Sequence, residues 1–462
     1  MNFLFPALLL LASEPTDVEM ALRRMAQVFA AVEREAAEPV DPNHAFYDGA
    51  LPALLRQLDP HSVFFTPGQF QQLREMERST TKGFGTVVSI LPGRVIVLQT
   101  LPGTPSTRAG LAPGDEIVAV NNIRLDFLTP EQLIGLLSES RRSEAQLLVR
   151  RPGNARLLPF KLTPEDMESP SVDRAFLLEP GIAYVRIASF EGETGKQLRQ
   201  ALESLGGESL KGLVLDLRNN PGGLLTAAVD CAALFLEPGS TVMSTRGRAK
   251  SNEDSKTPAS SQPYRFPLAV LVNGKSASAS EILAGAVQDH KRGKVVGERT
   301  YGKGLVQSIY PLSEGTGMAL TTAFYFTPAG RLIQRQLTGG QIATSGEGGL
   351  QPDIAAAPEG VSRLRAYLDV TASFTSFATE FVQRTRRIPE DFEVSNAILD
   401  EFQRFLSARN VLPGVNEWSI DREWIRSRLR QEIFNLSLGV AKGDEVEMAR
   451  DPQVRRARLE LP

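Results

Sequence analysis

Leu268-Ala269-Val270-Leu271-Val272-Asn273-Gly274-Lys275-Ser276-Ala277-Ser278-Ala279-Ser280-Glu281 is the stretch on which the reading of this chain turns. Five consecutive apolar residues predict a fully buried strand, and Asn273-Gly274 predicts a turn. The spacing of Ile282, Leu283, Ala286 and Val287 then predicts a helix that ends near Asp289-His290. The serines therefore fall on the first helical turn. Backbone N–H groups there lack intrahelical partners and carry a partial positive charge, which suits an anionic transition state. Ser278 is thus a candidate nucleophile and the N–H of Ala279 a candidate oxyanion donor. Downstream, residues 294–298 and 305–310 predict short strands, with Gly302-Lys303-Gly304 in the turn between them. A serine is a weak nucleophile until a neighbouring base takes its proton, and a neutral lysine amine can do this where histidine is scarce. The chain has three histidines, and Lys303 is the candidate base. On an extended chain Lys303, Leu305 and Gln307 share one face, so Gln307 could hold what Lys303 touches.

Working outward, residues 213–217 repeat the buried-strand signal, and Arg218-Asn219-Asn220-Pro221-Gly222-Gly223 turns into a helix over 224–235. A strand over 181–187 and a helix over 193–205 precede them. Serial strand-turn-helix units predict a largely parallel, layered sheet whose site gathers at the carboxyl ends of its strands. A glycine N–H of Gly222 or Gly223 would then face the serine turn, and which of the two serves is open. Residues 80–165 carry Gly83-Phe84-Gly85 and the run Ala109-Gly110-Leu111-Ala112-Pro113-Gly114-Asp115-Glu116. Strands near 94–98 and 147–150 and a helix over 129–139 complete a small barrel-like pattern that looks like a PDZ domain. Glycines at such a sheet edge let backbone N–H groups approach a peptide's terminal carboxylate.

The run Ser276 to Glu281, Gly302-Lys303-Gly304 with Gln307, and the 25 residues from Ser278 to Lys303 resemble the carboxy-terminal processing proteases. These are PDZ-containing Ser-Lys peptidases of family S41. Leu58-Asp59-Pro60-His61-Ser62 and the segments 327–333 and 351–354 extend the resemblance over about residues 60–356. It implies Ser278 as nucleophile, Lys303 as general base and Gln307 as the residue that orients the lysine. It also implies an oxyanion hole from Ala279 with Gly222 or Gly223, and peptide binding at Gly83, Phe84 and Gly85. His61 is expected to be structural, and Ser276 and Ser280 to cap the helix. The implied fold is mixed α/β and multidomain: a layered, crotonase-like ββα protease core with an inserted PDZ domain and helical N- and C-terminal regions. The divisions read from the sequence are 1–13 (signal segment), 14–79 (helical), 80–165 (PDZ), 166–356 (protease core) and 357–462 (helical). The implied activity is that of a serine endopeptidase that needs no cofactor. Its substrates would be proteins or peptides with free, apolar C-termini, and its helical termini would serve a homodimer.

The bulk composition agrees with an ordinary globular chain. Of 462 residues 42% are hydrophobic and 23% charged, and 51 basic against 54 acidic side chains give a net charge of −3, a balance in which nothing suggests nucleic acid as a partner. One cysteine, Cys231, excludes an internal disulfide framework and any cysteine-based zinc site, and lies in a small-residue helix as a core residue would. No histidine spacing fits a metal motif. Residues 1–13 have the apolar centre of a secretory segment but no basic residue before it, so export to the periplasm or cell envelope is the expectation. Thr16 and Glu19 form a capping-box pattern before a helix over 16–38 with a narrow apolar seam. Helices are expected over 44–58 and from Thr66-Pro67, a mobile loop over 240–263, a strand pair over 315–326, and a frayed, solvated tail around Arg455-Arg456 and Arg458. Two other classes share parts of the pattern. A PDZ adaptor would need no serine, lysine and glutamine together, and a crotonase-type acyl-CoA enzyme would leave a PDZ domain idle.

Overall fold

Every side chain of Gly212–Asp216 and Leu268–Val272 is buried, which requires cover on both faces of the sheet they share. The computed structural model describes residues 17–76, 80–91, 93–168, 170–249, 252–336, 347–385 and 387–462. The expected signal segment and Thr16 lie outside these residues. The described residues divide into two units, one within 17–71 and 307–321, the other within 72–306, 322–336 and 347–462.

In the second unit the central sheet has the order Val172–Glu179, Ile182–Ile187, Gly212–Asp216, Leu268–Val272, Lys294–Gly297, Ile354–Ala355. The first pair is antiparallel and every later pair is parallel, as the serial strand-turn-helix units predict. Helices Thr194–Ser204, Leu225–Ala232 and Ala279–Asp289 cover one face, packing against Val185, Leu213, Leu215, Val270 and Val272. Cys231 is buried in this layer, and burial pushes its thiol far above the usual range. The other face, with Tyr184, Val214, Ala269, Leu271 and Val296, is closed by Met448, Val454, Ala457 and Leu461. The frayed tail is therefore corrected. Its residues form helix Pro452–Arg458, because Val454 and Ala457 stand three apart and turn one apolar side toward the sheet, while Arg458 pairs with Glu179.

Strands Thr86–Leu91, Arg94–Thr100, Glu116–Val120, Ala145–Arg150 and Leu158–Leu162 form a separate antiparallel sheet with helix Pro130–Ser140. They enclose their own core, which includes Val95, Ile117, Leu133 and Val149. Thr129 and Gln132 close a reciprocal cap at that helix: Thr129 Oγ1 accepts from the Gln132 N–H (3.3 Å), and the Thr129 N–H donates to Gln132 Oε1 (2.9 Å). The C-terminal helices have an aromatic core of Phe374, Phe377, Phe402 and Phe405. Leu98 packs on it from strand Arg94–Thr100, Arg94 donates to Ser376 Oγ (3.0 Å), and Gln99 Oε1 accepts from the Val440 N–H (3.0 Å).

The segment 240–263, expected as a mobile loop, instead holds the hairpin Thr241–Arg246 with Glu253–Lys256. Val242 and Met243 are buried there, and its β-branched residues favour an extended chain over a coil. The expected strand pair at 315–326 is one ten-residue strand, Gly317–Phe326; Gly315 closes the short helical turn before it. Its last residues pair with Thr241–Arg246.

In the first unit, helix Asp17–Glu35 has no buried residue and exposes Val18, Leu22, Met25, Val28 and Val32. His44–Ala50 is a π-helical turn that continues into helix Leu51–Leu58. Strand Val63–Phe65 pairs antiparallel with residues 317–319. Helix Pro67–Met76 begins in this unit, its entry held by a bond from the Thr66 N–H to Gln69 Oε1 (3.0 Å).

Candidate active site

The chain leaves strand Leu268–Val272 through Asn273, whose Oδ1 accepts from the N–H groups of Asn219 (3.0 Å) and Lys275 (3.1 Å). The exits of two neighbouring strands are thereby tied together. Ser276 is buried and donates to the Leu217 carbonyl (2.7 Å); Ser280 is buried and donates to the Asn220 carbonyl (3.0 Å). Their expected capping role is therefore replaced by a bridging one, in which each hydroxyl ties the serine turn to a backbone carbonyl of the loop 217–220. Ser278 is half-buried, so it is the serine of the three that meets solvent. It stands at the start of helix Ala279–Asp289 with φ 55° and ψ −115°, a conformation that costs a side-chain-bearing residue about 1–3 kcal/mol. The Ala279 N–H, first in the helix, has no acceptor among the described residues.

The glycine loop is held against this turn by Asn220, which is fully buried. Its carbonyl accepts from the Ala277 N–H (3.0 Å) and Ser280, its Nδ2 donates to the Ile187 carbonyl (2.8 Å), and its Oδ1 accepts from the Gly222 N–H (2.8 Å). A Cβ on Gly222 would lie 2.8 Å from Ser278 Cβ and 3.0 Å from the Ala279 nitrogen, and one on Gly223 would lie 2.1 Å from the Phe190 carbonyl oxygen. Both positions need glycine on close approach alone. The Gly222 N–H is engaged by Asn220, whereas the Gly223 N–H finds no acceptor among the described residues.

Glu281 joins the serine turn to the lysine turn. Its side chain is completely buried. Oε1 accepts from Thr300 Oγ1 (2.5 Å) and the Gly302 N–H (2.7 Å); Oε2 accepts from the N–H groups of Ser278 (2.9 Å) and Lys303 (2.9 Å). Burial pushes this carboxyl above its ordinary range, and the four hydrogen bonds to it pull the other way. Gly302 has φ 86°, and a Cβ on Gly304 would lie 2.4 Å from the Gln334 nitrogen. The lysine is thus set in a turn that only glycines can close. Sequence reasoning missed Glu281 and Asn220 as organisers. The signal for Glu281 was its position three residues after a helix-starting serine; Asn220 had none beyond its place in a turn.

Gln307 belongs to the first unit, where its Nε2 donates to the His61 carbonyl (2.6 Å). The His61 turn is built by Asp59, buried, whose carboxylate accepts from the N–H of His61 (2.7 Å) and from the N–H and hydroxyl of Ser62 (2.9 and 2.7 Å). Lys275 is exposed, and Arg299 bonds Gln351 Oε1 (3.1 Å) and the Gly348 carbonyl (3.0 Å). Gly83, Phe84 and Gly85 line a cavity of about 270 Å³ with Thr86, Val88, Leu137 and Arg141. This groove lies between strand Thr86–Leu91 and the end of helix Pro130–Ser140. The N–H groups of Phe84 and Gly85 find no acceptor among the described residues. No cluster of three histidine, cysteine or carboxylate side chains suited to a metal occurs among the described residues.

Residues 181–356 match Peptidase family S41, and residues 96–151 match the PDZ domain. The chain is 35% identical over 338 residues to the chloroplastic C-terminal processing peptidase of Tetradesmus obliquus, covering 70% of each chain. It is 33% identical over 319 residues to the carboxy-terminal-processing protease of Bartonella bacilliformis, covering 68% of this chain and 72% of the relative. A solved photosystem II D1 C-terminal processing protease is 31% identical, with 72% of this chain and 91% of that chain covered and a TM-score of 0.41.

Proposed function

Because this chain belongs to the carboxyl-terminal processing peptidases of Peptidase family S41, a group of serine-type enzymes, we propose that Ser278 and Lys303 form its catalytic dyad. Ser278 Oγ attacks the scissile carbonyl as neutral Lys303 Nζ takes its proton. The lysine then returns that proton to the leaving amine, and water releases the acyl group by the same relay. The N–H of Ala279 with that of Gly223 receives the oxyanion, both being donors without an acceptor among the described residues. One observation carries the reading: a single buried carboxylate oxygen, Glu281 Oε2, holds the N–H of both Ser278 and Lys303. Gln307 is assigned to orient Lys303.

The test is steady-state cleavage of unfolded polypeptide with product mass analysis. Ser278→Ala should abolish turnover while Ser276→Ala retains it. Lys303→Arg should be inactive at every pH, because a guanidinium does not give up its proton; activity in that variant would mean another base. Gln307→Ala should slow the reaction without ending it.

The PDZ groove is assigned to the free C-terminus of the substrate, whose carboxylate would bind the N–H groups of Phe84 and Gly85 and whose last apolar side chain would enter the cavity. A peptide should be cut faster than its C-terminal amide; equal rates would remove this role. Residues 14–79, 80–165, 166–356 and 357–462 are proposed as the chain's domains, and export as its fate. The exposed apolar seam of helix Asp17–Glu35 supports a homodimer through the helical termini. Sedimentation should show a dimer that dissociates when Leu22 and Val28 are replaced by serine.

A further inference from the structure

Arg218 opens the loop that carries Asn220, Gly222 and Gly223, and it is bonded on both sides. Toward the sheet, its Nε and Nη2 bond Asp216 (2.6–3.0 Å), which also accepts from the Tyr184 hydroxyl (2.8 Å). Toward the C-terminal segment, Nη1 donates to Asp451 Oδ2 (2.7 Å) and to Gln453 Oε1 (2.7 Å). Gln453 in turn donates to the Ala356 carbonyl (2.7 Å). The guanidinium is mostly buried, with 11% of its side chain exposed, so these bonds fix it in one place. Two residues on, Asn220 accepts from both the Gly222 N–H and the Ala277 N–H.

We propose that Asp451 and Gln453 are positioning residues for catalysis, clamping the glycine loop through Arg218 so that its donor stays in register with Ser278. The proposal rests on the dyad reading above. A preorganised donor is effective only where the oxyanion forms, and small displacements cost rate without costing substrate affinity. Two side chains of the region 357–462, Asp451 and Gln453, thereby support the glycine loop from outside the protease core.

The two oxygens of Asp451 allow the clamp to be cut without unfolding the helix. Oδ1 caps helix Pro452–Arg458 by accepting from the N–H groups of Gln453 (2.8 Å) and Val454 (3.0 Å), while Oδ2 faces Arg218. Asp451→Asn can keep the cap oxygen and turn an amide donor toward the guanidinium. Arg458→Ala is the control: it removes the ion pair of the same helix with Glu179 and leaves Arg218 untouched.

The experiment measures kcat and KM on one peptide for the full-length chain, with thermal midpoints and the rate of Ser278 labelling by a fluorophosphonate. Asp451→Asn and Gln453→Ala should each lower kcat and the labelling rate about tenfold or more, with KM near the unaltered value and a midpoint that, though lowered by the buried guanidinium's lost partner, stays above the assay temperature. Arg458→Ala should leave kcat unchanged. Unaltered kcat in Asp451→Asn, or an equal loss in Arg458→Ala, would overturn the clamp alone. Loss of turnover and labelling in the unaltered chain itself would overturn the dyad and the clamp with it.

Discussion

At the scale of single residues, the site depends on groups that do no chemistry. Glu281 offers two oxygens to four donors, so Glu281→Gln must set an amide N–H₂ against two of them. Each buried donor left unpaired costs about 1–3 kcal/mol. Denaturant melts should therefore show a clear loss of stability, and kcat/KM should fall by about a hundredfold or more as the serine and lysine turns separate. A variant with unchanged kcat would reduce Glu281 to a helix cap. Gly222→Ala tests the glycine loop. Its methyl would lie 3.0 Å from the Ala279 nitrogen and obstruct the oxyanion, so kcat should fall by about 10²–10³-fold, as when an oxyanion donor is removed. The strain at Ser278 is also measurable: Ser278→Gly should be more stable than Ser278→Ala by about 1 kcal/mol or more, since glycine alone accepts that backbone freely.

At the scale of elements, the helix Val440–Arg450 docks on strand Val172–Glu179 through charge. Asp444 Oδ1 pairs with Arg174 at 3.0 Å, yet burial, with Glu447 and Asp173 nearby, pushes its carboxyl up to about 6. The folded chain then takes up this proton before the unfolded one does, whose ordinary value is about 3.9. The group's contribution is full below the unfolded value and is lost as pH rises through about 6. Asp444→Asn, which is neutral throughout, should gain thermal stability relative to the unaltered chain as pH goes from 4 to 8. A difference in midpoint that does not vary with pH would place the titration elsewhere. The contacts that hold the PDZ domain have a consequence for its study too. Arg94, Leu98 and Gln99 sit against the C-terminal helices, so deleting residues 80–165 should destabilise those helices as well as remove the groove. Arg141→Glu, an exposed change at the groove, should instead lower the preference for a free C-terminus over its amide and leave the fold intact.

At the scale of the whole molecule, the sequence by itself determined the elements whose signal is local. The apolar runs 213–217 and 268–272 have no polar residue to turn outward, so both faces had to be covered and a layered, mainly parallel sheet followed. Gly222, Gly223, Gly302 and Gly304 announced tight approach, and the serine run announced a helix start, whereas the burial of Ser276 and Ser280 beside a half-buried Ser278 is a tertiary outcome. What period and turn chemistry could not reveal were the partners of buried polar groups. Glu281 gathers donors from residues 278, 300, 302 and 303, and Arg218 reaches Asp451 across 233 positions. The segment 240–263 looked like a loop because its polar residues hide a strand that pairing stabilises, and 452–458 looked like a solvated tail because its arginines outnumber the few apolar contacts that dock it. The physical reason is the same in each case. Local propensity depends on the residue and its neighbours in the chain, whereas a buried charge or a paired strand is stable only once distant segments close around it and supply its hydrogen bonds.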